Sequence, residues 1–190
     1  MFYEHKRSWY LGIENINKVL SDFVELFGEA SEEEIRTVFL EKDIRFLITK
    51  TRQETTRSLI LKTTVAKKTF LENIYEKFGG DYLDKLEAKK VLPYIDKRRY
   101  LWEIEKEGKS LKLCIDVYGS CFAKVHLTEK NTDKFFSDFI DSHIPTLGAL
   151  AEVTTIDTFK ESGMAYALYI NGMNYNDLYN ALNKSLKEVC

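Results

Sequence analysis

The sequence is poor in the residues that interrupt or cross-link a chain. Its 190 residues include two prolines and three cysteines, and no Gly/Ser-rich or low-complexity stretch separates one part from another. We therefore predict a single domain over residues 1–190, with no linker and no internal repeat. The cysteines, Cys114, Cys121 and Cys190, are odd in number and lack metal-ligand spacing. Their pattern favours a reducing, cytoplasmic setting.

Long apolar runs and an excess of positive charge are also missing. No run approaches membrane-spanning length and residues 1–7 contain no apolar signal core, so we expect no membrane association. The 28 Lys and Arg against 30 Asp and Glu give a formal net charge of −2, which argues against nonspecific nucleic-acid binding. With 44% hydrophobic and 31% charged residues, the placement of the charge matters more than its sum.

Two central segments, residues 97–104 and 111–118, alternate charged and apolar side chains with the period of a β-strand. One face carries Lys97, Arg99, Glu103, Lys112 and Asp116, and the opposite face is apolar. Strands rich in β-branched and aromatic residues are predicted at 2–11, 35–41, 44–52, 58–65, 94–105, 110–118, 122–128 and 149–157. Amphipathic helices are predicted at 15–27, 67–78, 81–92, 131–140 and 174–189.

Eight strands of this kind predict an α+β fold in which an antiparallel sheet closes into a barrel, with the amphipathic helices packed outside. The apolar strand faces would then point outward and the charged faces inward, around a tunnel. The run 31–34 is interpreted as a solvated turn or helix start, and the run 164–170 as a strand or packing segment.

Strand alternation also predicts which side chains would line the tunnel. Eight basic and four acidic residues share the charged face: Lys6, Lys50, Arg52, Lys62, Lys97, Arg99, Lys112 and Lys124, with Glu4, Glu103, Asp116 and Glu152. Such a group can be enclosed only with a multiply charged anion, extensive pairing or water. Lysine and arginine suit phosphate chains, and carboxylates suit Mg²⁺ or Mn²⁺. The alternative is an ordinary sheet with a solvated charged face, and alternation alone does not decide between the two.

Several segments resemble, in order along the chain, the CYTH superfamily of triphosphate tunnel metalloenzymes, named for class IV adenylate cyclase and thiamine triphosphatase. Its Lys-x-Arg followed by an aromatic is similar to Lys97-Arg98-Arg99 with Trp102. Its paired strands resemble 115–118 and 123–127, and its Arg-x-Arg hairpin resembles Lys50-Thr51-Arg52 with 59–62. Its Trp-Leu-Gly and Glu-Val-Thr segments are similar to 146–148 and 152–154.

The chain departs from the family pattern at acidic positions. The family's N-terminal Glu-x-Glu-x-Lys aligns with residues 4–8 in either of two registers, each of which lacks one carboxylate, and two family glutamates are replaced by Lys124 and His126. The matched acids that remain are Glu4, Asp116 and Glu152. The resemblance implies that these three would hold Mg²⁺ or Mn²⁺ and act in catalysis.

The resemblance further implies a ligand that is a triphosphate, a nucleotide or a polyphosphate. The ligand-binding residues would be Lys6, Lys50, Arg52, Lys62, Lys97, Arg99, Lys112, Lys124 and His126. If the protein is an enzyme, a metal-dependent triphosphatase is favoured over an adenylate cyclase. The alternatives are a catalytically inactive phosphate-binding relative and a plain α+β interaction module. A homodimer is compatible with all three.

Overall fold

The computed structural model describes residues 2–41, 43–65, 68–73, 85, 92–106, 109–130 and 144–189. Eight strands account for most of the first 130 positions. They are β1 (Phe2–Gly12), β2 (Ser31–Glu41), β3 (Ile44–Lys50), β4 (Thr55–Val65), β5 (Lys68–Asn73), β6 (Tyr94–Lys106), β7 (Lys109–Tyr118) and β8 (Phe122–Lys130). The described helices are α1 (Ile13–Phe27), α2 (Pro145–Gly148), α3 (Glu161–Ile170) and α4 (Tyr175–Val189), with a 3₁₀ turn at Asp157–Phe159.

All strands belong to one antiparallel sheet in the order β1-β5-β4-β3-β2-β6-β7-β8, and β8 pairs again with β1. Residues 51–54 connect β3 to β4 and a turn at 119–121 connects β7 to β8, as antiparallel hairpins allow. The register places Arg99 opposite Asp116, and Asp116 opposite Lys124. Charged side chains from three neighbouring strands therefore lie side by side on one face.

The alternation along β1, β6, β7 and β8 produces an apolar face, and α1 packs on it. Trp9, Trp102, Leu113 and Val125 are buried in one cluster with Phe23 of α1. The Phe23 and Trp102 rings meet edge to face with centroids 5.6 Å apart. This confirms the predicted apolar strand faces and the predicted first helix.

The opposite face, which we call the polar face, carries Lys97, Asp116, Lys124 and His126, all buried. At one end of this face the strand residues become aromatic and apolar, and the 3₁₀ turn, α3 and α4 pack against them. The cluster consists of Tyr10, Phe39, Ile95, Tyr118, Phe122, Val153, Phe159, Met164, Ala165, Leu178 and Leu182. The C-terminal helices therefore cover one end of the polar face.

The predicted fold class, a closed barrel with the helices packed outside, is wrong in two respects. First, within the described residues β1 pairs with β5 at residues 2–4. Farther along the same edge, Ser8 O accepts a hydrogen bond from Val153 N and Tyr10 N donates to Ala151 O, in a segment that is not a strand. The ring of paired strands is therefore completed only at the Phe2–Glu4 end of β1, and not by strand pairing along the length of β1. Second, α3 and α4 lie on the face opposite α1, because their apolar residues match the apolar end of the polar face.

Several predicted elements are also corrected. Residues 68–73 form β5 instead of a helix, and 149–157 contain an isolated bridge from Trp9 to Glu152 instead of a strand. Residues 31–34 begin β2, where the register sets Glu33 opposite Arg99. Residues 164–170 belong to α3.

The helices predicted at 81–92 and 131–140 fall almost entirely outside the described residues. None of the helices within the described ranges is both long and apolar enough to cross a membrane.

Candidate functional site

The centre of the polar face is an ion cluster around Asp116. Lys97 Nζ lies 2.7 Å from Asp116 Oδ2, and Arg99 donates to both carboxylate oxygens, with its Nε 2.7 Å from Oδ1. Asp116 is fully buried. Lys97 and Arg99 are two positions apart on β6 and therefore point to the same side.

These contacts set the ionisation of the buried carboxylate. Burial acts to raise the pKa of Asp116, but the charges of Arg99 and Lys97 outweigh burial and hold the pKa well below its usual value. Burial likewise acts to lower the pKa of Arg99, and Asp116 overcomes it, so the pKa of Arg99 is raised. Asp116 is therefore an anion throughout the neutral range.

A second carboxylate reaches the cluster from α3. Glu161 accepts hydrogen bonds from Lys97 Nζ and from the Tyr118 hydroxyl, the latter at 3.0 Å. Burial acts to raise the pKa of Glu161, and Lys97 outweighs it and lowers the pKa well below the usual value. Lys97 therefore bridges two buried anions, Asp116 and Glu161.

Two further lysines lie near this cluster. Lys124 is buried, and its Nζ donates to the Phe159 carbonyl at 2.6 Å. Desolvation, reinforced by the charge of Lys6, lowers the pKa of Lys124 to about 7. Desolvation also lowers the pKa of Lys6, opposed by Glu161. More than a third of the Lys6 surface remains exposed to water, so Lys6 lies at the solvated edge of the cluster.

His126 completes the described centre and is neutral. Its Nδ1 lies 2.8 Å from the Ser8 hydroxyl, and its Nε2 lies 3.3 Å from Asp116 Oδ2 without a well-aligned hydrogen bond. Desolvation and the positive charge of Lys6 hold the pKa of His126 well below its usual value. An uncharged His126 fits a position beside two lysines better than an imidazolium would.

Arg45 of β3 also contributes positive charge near Glu161. The register sets Arg45 opposite Ile60 on β4, and its neighbours Ile44 and Phe46 belong to the apolar face. Arg45 therefore points to the polar face, where its charge helps to lower the pKa of Glu161. Among the described residues, its buried Nε has no hydrogen-bond partner. Arg45 is thus a partly buried cation whose Nε is shielded from water and has unused donor capacity.

Other predicted ligand residues lie away from this centre. Lys50 is on the apolar side of β3, opposite Glu34, and Arg52 is exposed in the turn after β3. Lys62 is exposed on β4, where it lies on the same side of the strand as Ile60 and hence on the polar face with Arg45, but outside the contacts around Asp116 that are described above. Lys112 forms an ion pair of 2.5 Å with the exposed Glu103. The structure thus brings together Lys6, Lys97, Arg99, Lys124 and His126 from the predicted set.

The three predicted metal ligands do not form a metal site in the described structure. Glu152 accepts hydrogen bonds from Arg7, with a distance of 3.0 Å from Arg7 Nε to Oε1. Asp116 is engaged by Lys97 and Arg99. Glu4 is on β1, but its side chain lies outside the described part. Within that part, no three His, Cys, Asp or Glu side chains are grouped to hold a metal. The described residues therefore show no Mg²⁺ or Mn²⁺ site, and the expected metal stays a prediction.

Sequence reasoning missed two members of the site. Arg45 was detectable, because Ile44, Phe46 and Ile48 alternate as an apolar face and leave Arg45 on the other side. Matching Lys50 and Arg52 to a family motif hid that signal. Glu161 had no local signal, since it reaches the sheet from a helix 64 positions after Lys97.

A scan against known protein families finds no match, and no curated protein matches the sequence. Solved structures with similarity include a hypothetical protein at 17% identity, TM-score 0.45, covering 85% of this chain and 97% of its own. A candidate adenylate cyclase from Bacillus halodurans has 14% identity and TM-score 0.47, covering 74% and 89%. A conserved hypothetical protein from Pyrococcus furiosus has 12% identity and TM-score 0.42, covering 77% and 88%.

Proposed function

We propose that the protein binds a small polyphosphate, or a compound that carries a triphosphate, at the cations of the polar face. The observation that carries the proposal is an excess of positive charge around two carboxylates that are largely shielded from water. Lys6, Lys97, Arg99 and Lys124 act on both Asp116 and Glu161, and Arg45 acts on Glu161. Enclosing like charges is costly unless an anion or water compensates them.

The types of cation support a phosphate chain over a carboxylate ligand. A guanidinium presents several donors in a plane and can bind two phosphate oxygens together. Ammonium groups can pair with the successive negative charges of a phosphate chain. Arg45 has an unused donor, and Lys124 has its pKa lowered to about 7. Both groups would gain from a polyanion. The sequence resemblance to triphosphate tunnel enzymes favours the same ligand class.

The proposal is one of binding and does not include hydrolysis. The catalytic role expected for Glu4, Asp116 and Glu152 depended on a divalent metal, and Asp116 and Glu152 are engaged by cationic side chains. A metal-dependent triphosphatase stays a separate hypothesis. Release of inorganic phosphate from tripolyphosphate with Mg²⁺ or Mn²⁺, and its loss with a chelator, would support that hypothesis.

The test is calorimetric titration with tripolyphosphate at low salt, with Arg45→Gln and Lys50→Gln as a matched pair. Both changes remove one positive charge from β3, but Arg45 lies on the polar face and Lys50 on the apolar side. We expect a stoichiometric site in the native protein and a roughly tenfold weaker one in Arg45→Gln, because a charge-assisted hydrogen bond contributes about 1.5 kcal/mol or more.

Lys50→Gln should bind within about twofold of the native protein, since exposed charges are well screened. Equal weakening by both changes would mean that only net charge matters. The absence of a stoichiometric site would leave the interaction-module alternative.

A further inference from the structure

Glu161 occupies a position on the polar face that suits an anion. Its carboxylate accepts from Lys97 Nζ and from the Tyr118 hydroxyl. It also lies in the field of Lys6 and Arg45, which both act to lower its pKa. A phosphate oxygen placed there would find the same ammonium, hydroxyl and surrounding positive charge.

The helix that carries Glu161 is held firmly in place. Phe159, Met164 and Ala165 are buried in the cluster at the end of the polar face, and the Phe159 ring meets Tyr10 edge to face at 5.2 Å. Glu161 is the first residue of α3, where the helix dipole favours a negative charge. Only 12% of its side chain is exposed. The packing of α3 therefore fixes the position of the Glu161 carboxylate, which already contacts Lys97 before a ligand binds.

We propose that Glu161 is an internal anion that competes with the bound polyphosphate for Lys97 and thereby sets the affinity of the site. This inference rests on the proposed function. Lys97 already has Asp116 as a partner at 2.7 Å, so a negative ligand gains little from Lys97 while Glu161 stays charged. The ligand must then draw its affinity from Lys6, Arg45 and Lys124. Neutralising Glu161 leaves Lys97 paired with Asp116, so that the ammonium can also bind a phosphate oxygen, and it removes a like charge from the ligand's surroundings.

Glu161→Gln and Asp96→Asn form a matched pair for the test. Each removes one negative charge with little change in shape, but Asp96 pairs with Arg36 and lies on the opposite side of β6 from Lys97. Calorimetric titration of the full chain with tripolyphosphate is expected to show affinity at least tenfold higher for Glu161→Gln than for the native protein. Asp96→Asn is expected to remain within twofold.

Glu161→Asp is the second variant, in case the glutamine variant unfolds. It keeps the charge and withdraws the carboxylate from Lys97 by one methylene, so an intermediate gain in affinity is expected. Thermal unfolding followed by circular dichroism checks that each variant is folded.

The possible failures are distinguishable. Unchanged or weaker binding in a folded Glu161→Gln, while the native protein binds, overturns the inference and leaves the proposed function standing. The weaker outcome would identify Glu161 as a residue that positions Lys97. If neither the native protein nor Glu161→Gln binds tripolyphosphate, the proposed function fails and the inference fails with it.

Discussion

Lys97 and Asp116 form a buried ion pair across β6 and β7. The distance from Nζ to Oδ2 is 2.7 Å, and the two side chains are 4% and 0% exposed. A pair so well shielded from water is held together strongly, but each partner depends on the other, because an unpaired buried charge has no solvent to stabilise it.

Asp116→Asn should therefore be severely destabilising. It leaves Lys97 and Arg99 without their shared carboxylate, and removing one partner of a buried pair costs roughly 3–5 kcal/mol in the free energy of unfolding. The matched control is Asp96→Asn, whose carboxylate pairs with Arg36 but is 46% exposed. That variant should lose about 1 kcal/mol or less. Urea unfolding measures both, and similar losses would show that the enclosure of Asp116 has no special effect.

Binding of a polyanion should take up a proton at pH 8. The pKa of Lys124 is lowered to about 7, so its amine is mostly neutral at pH 8, and a nearby phosphate would raise that pKa and favour protonation. Calorimetric titration in buffers of different ionisation enthalpy should give an uptake approaching one proton, which Lys124→Met should largely remove. Tripolyphosphate binding with the same uptake in both proteins would assign the proton to another group.

His126 should make the native protein less stable as the pH falls below about 6.5. Its pKa in the folded state is held well below 6.5 by desolvation and by Lys6, so the unfolded chain binds more protons in that window and gains stability relative to the native state. The lowered pKa values of Asp116 and Glu161 act below about 4.5. Chemical unfolding between pH 7 and pH 5 should therefore show a smaller pH dependence for His126→Gln than for the native protein. Identical slopes would contradict this role.

Trp102→Phe should loosen the attachment of α1 to the sheet. The change removes the hydrogen bond from Trp102 Nε1 to the Gly28 carbonyl, 2.8 Å long, at the end of α1. It also leaves space next to Phe23. We expect a loss of about 1–3 kcal/mol in the free energy of unfolding. Ile13→Ala, at a side of α1 that is 51% exposed, should lose about 0.5 kcal/mol or less. A loss as large at Ile13 would mean that the contact of α1 is not centred on Trp102.

Period-two alternation was a sound guide where a strand has one apolar and one charged side. It predicted that Lys97, Arg99 and Asp116 share a face, and the register confirms that Arg99 lies opposite Asp116. It failed for residues 68–73, where Lys68 and Glu72 also fit a helix pattern and pairing with β4 determines the strand. Short segments with mixed patterns are decided by their tertiary partners.

The sequence by itself determined the apolar and charged sides of β6, β7 and β8 and the amphipathic helix α1, because these follow from the fixed spacing of side chains along a strand or helix. Only the tertiary structure decided which charges meet. It brought the charge of Arg45 close to Glu161 and placed the Glu161 carboxylate against Lys97. These relationships join residues far apart in the chain, and they depend on where β1 pairs with β5 and where α3 packs.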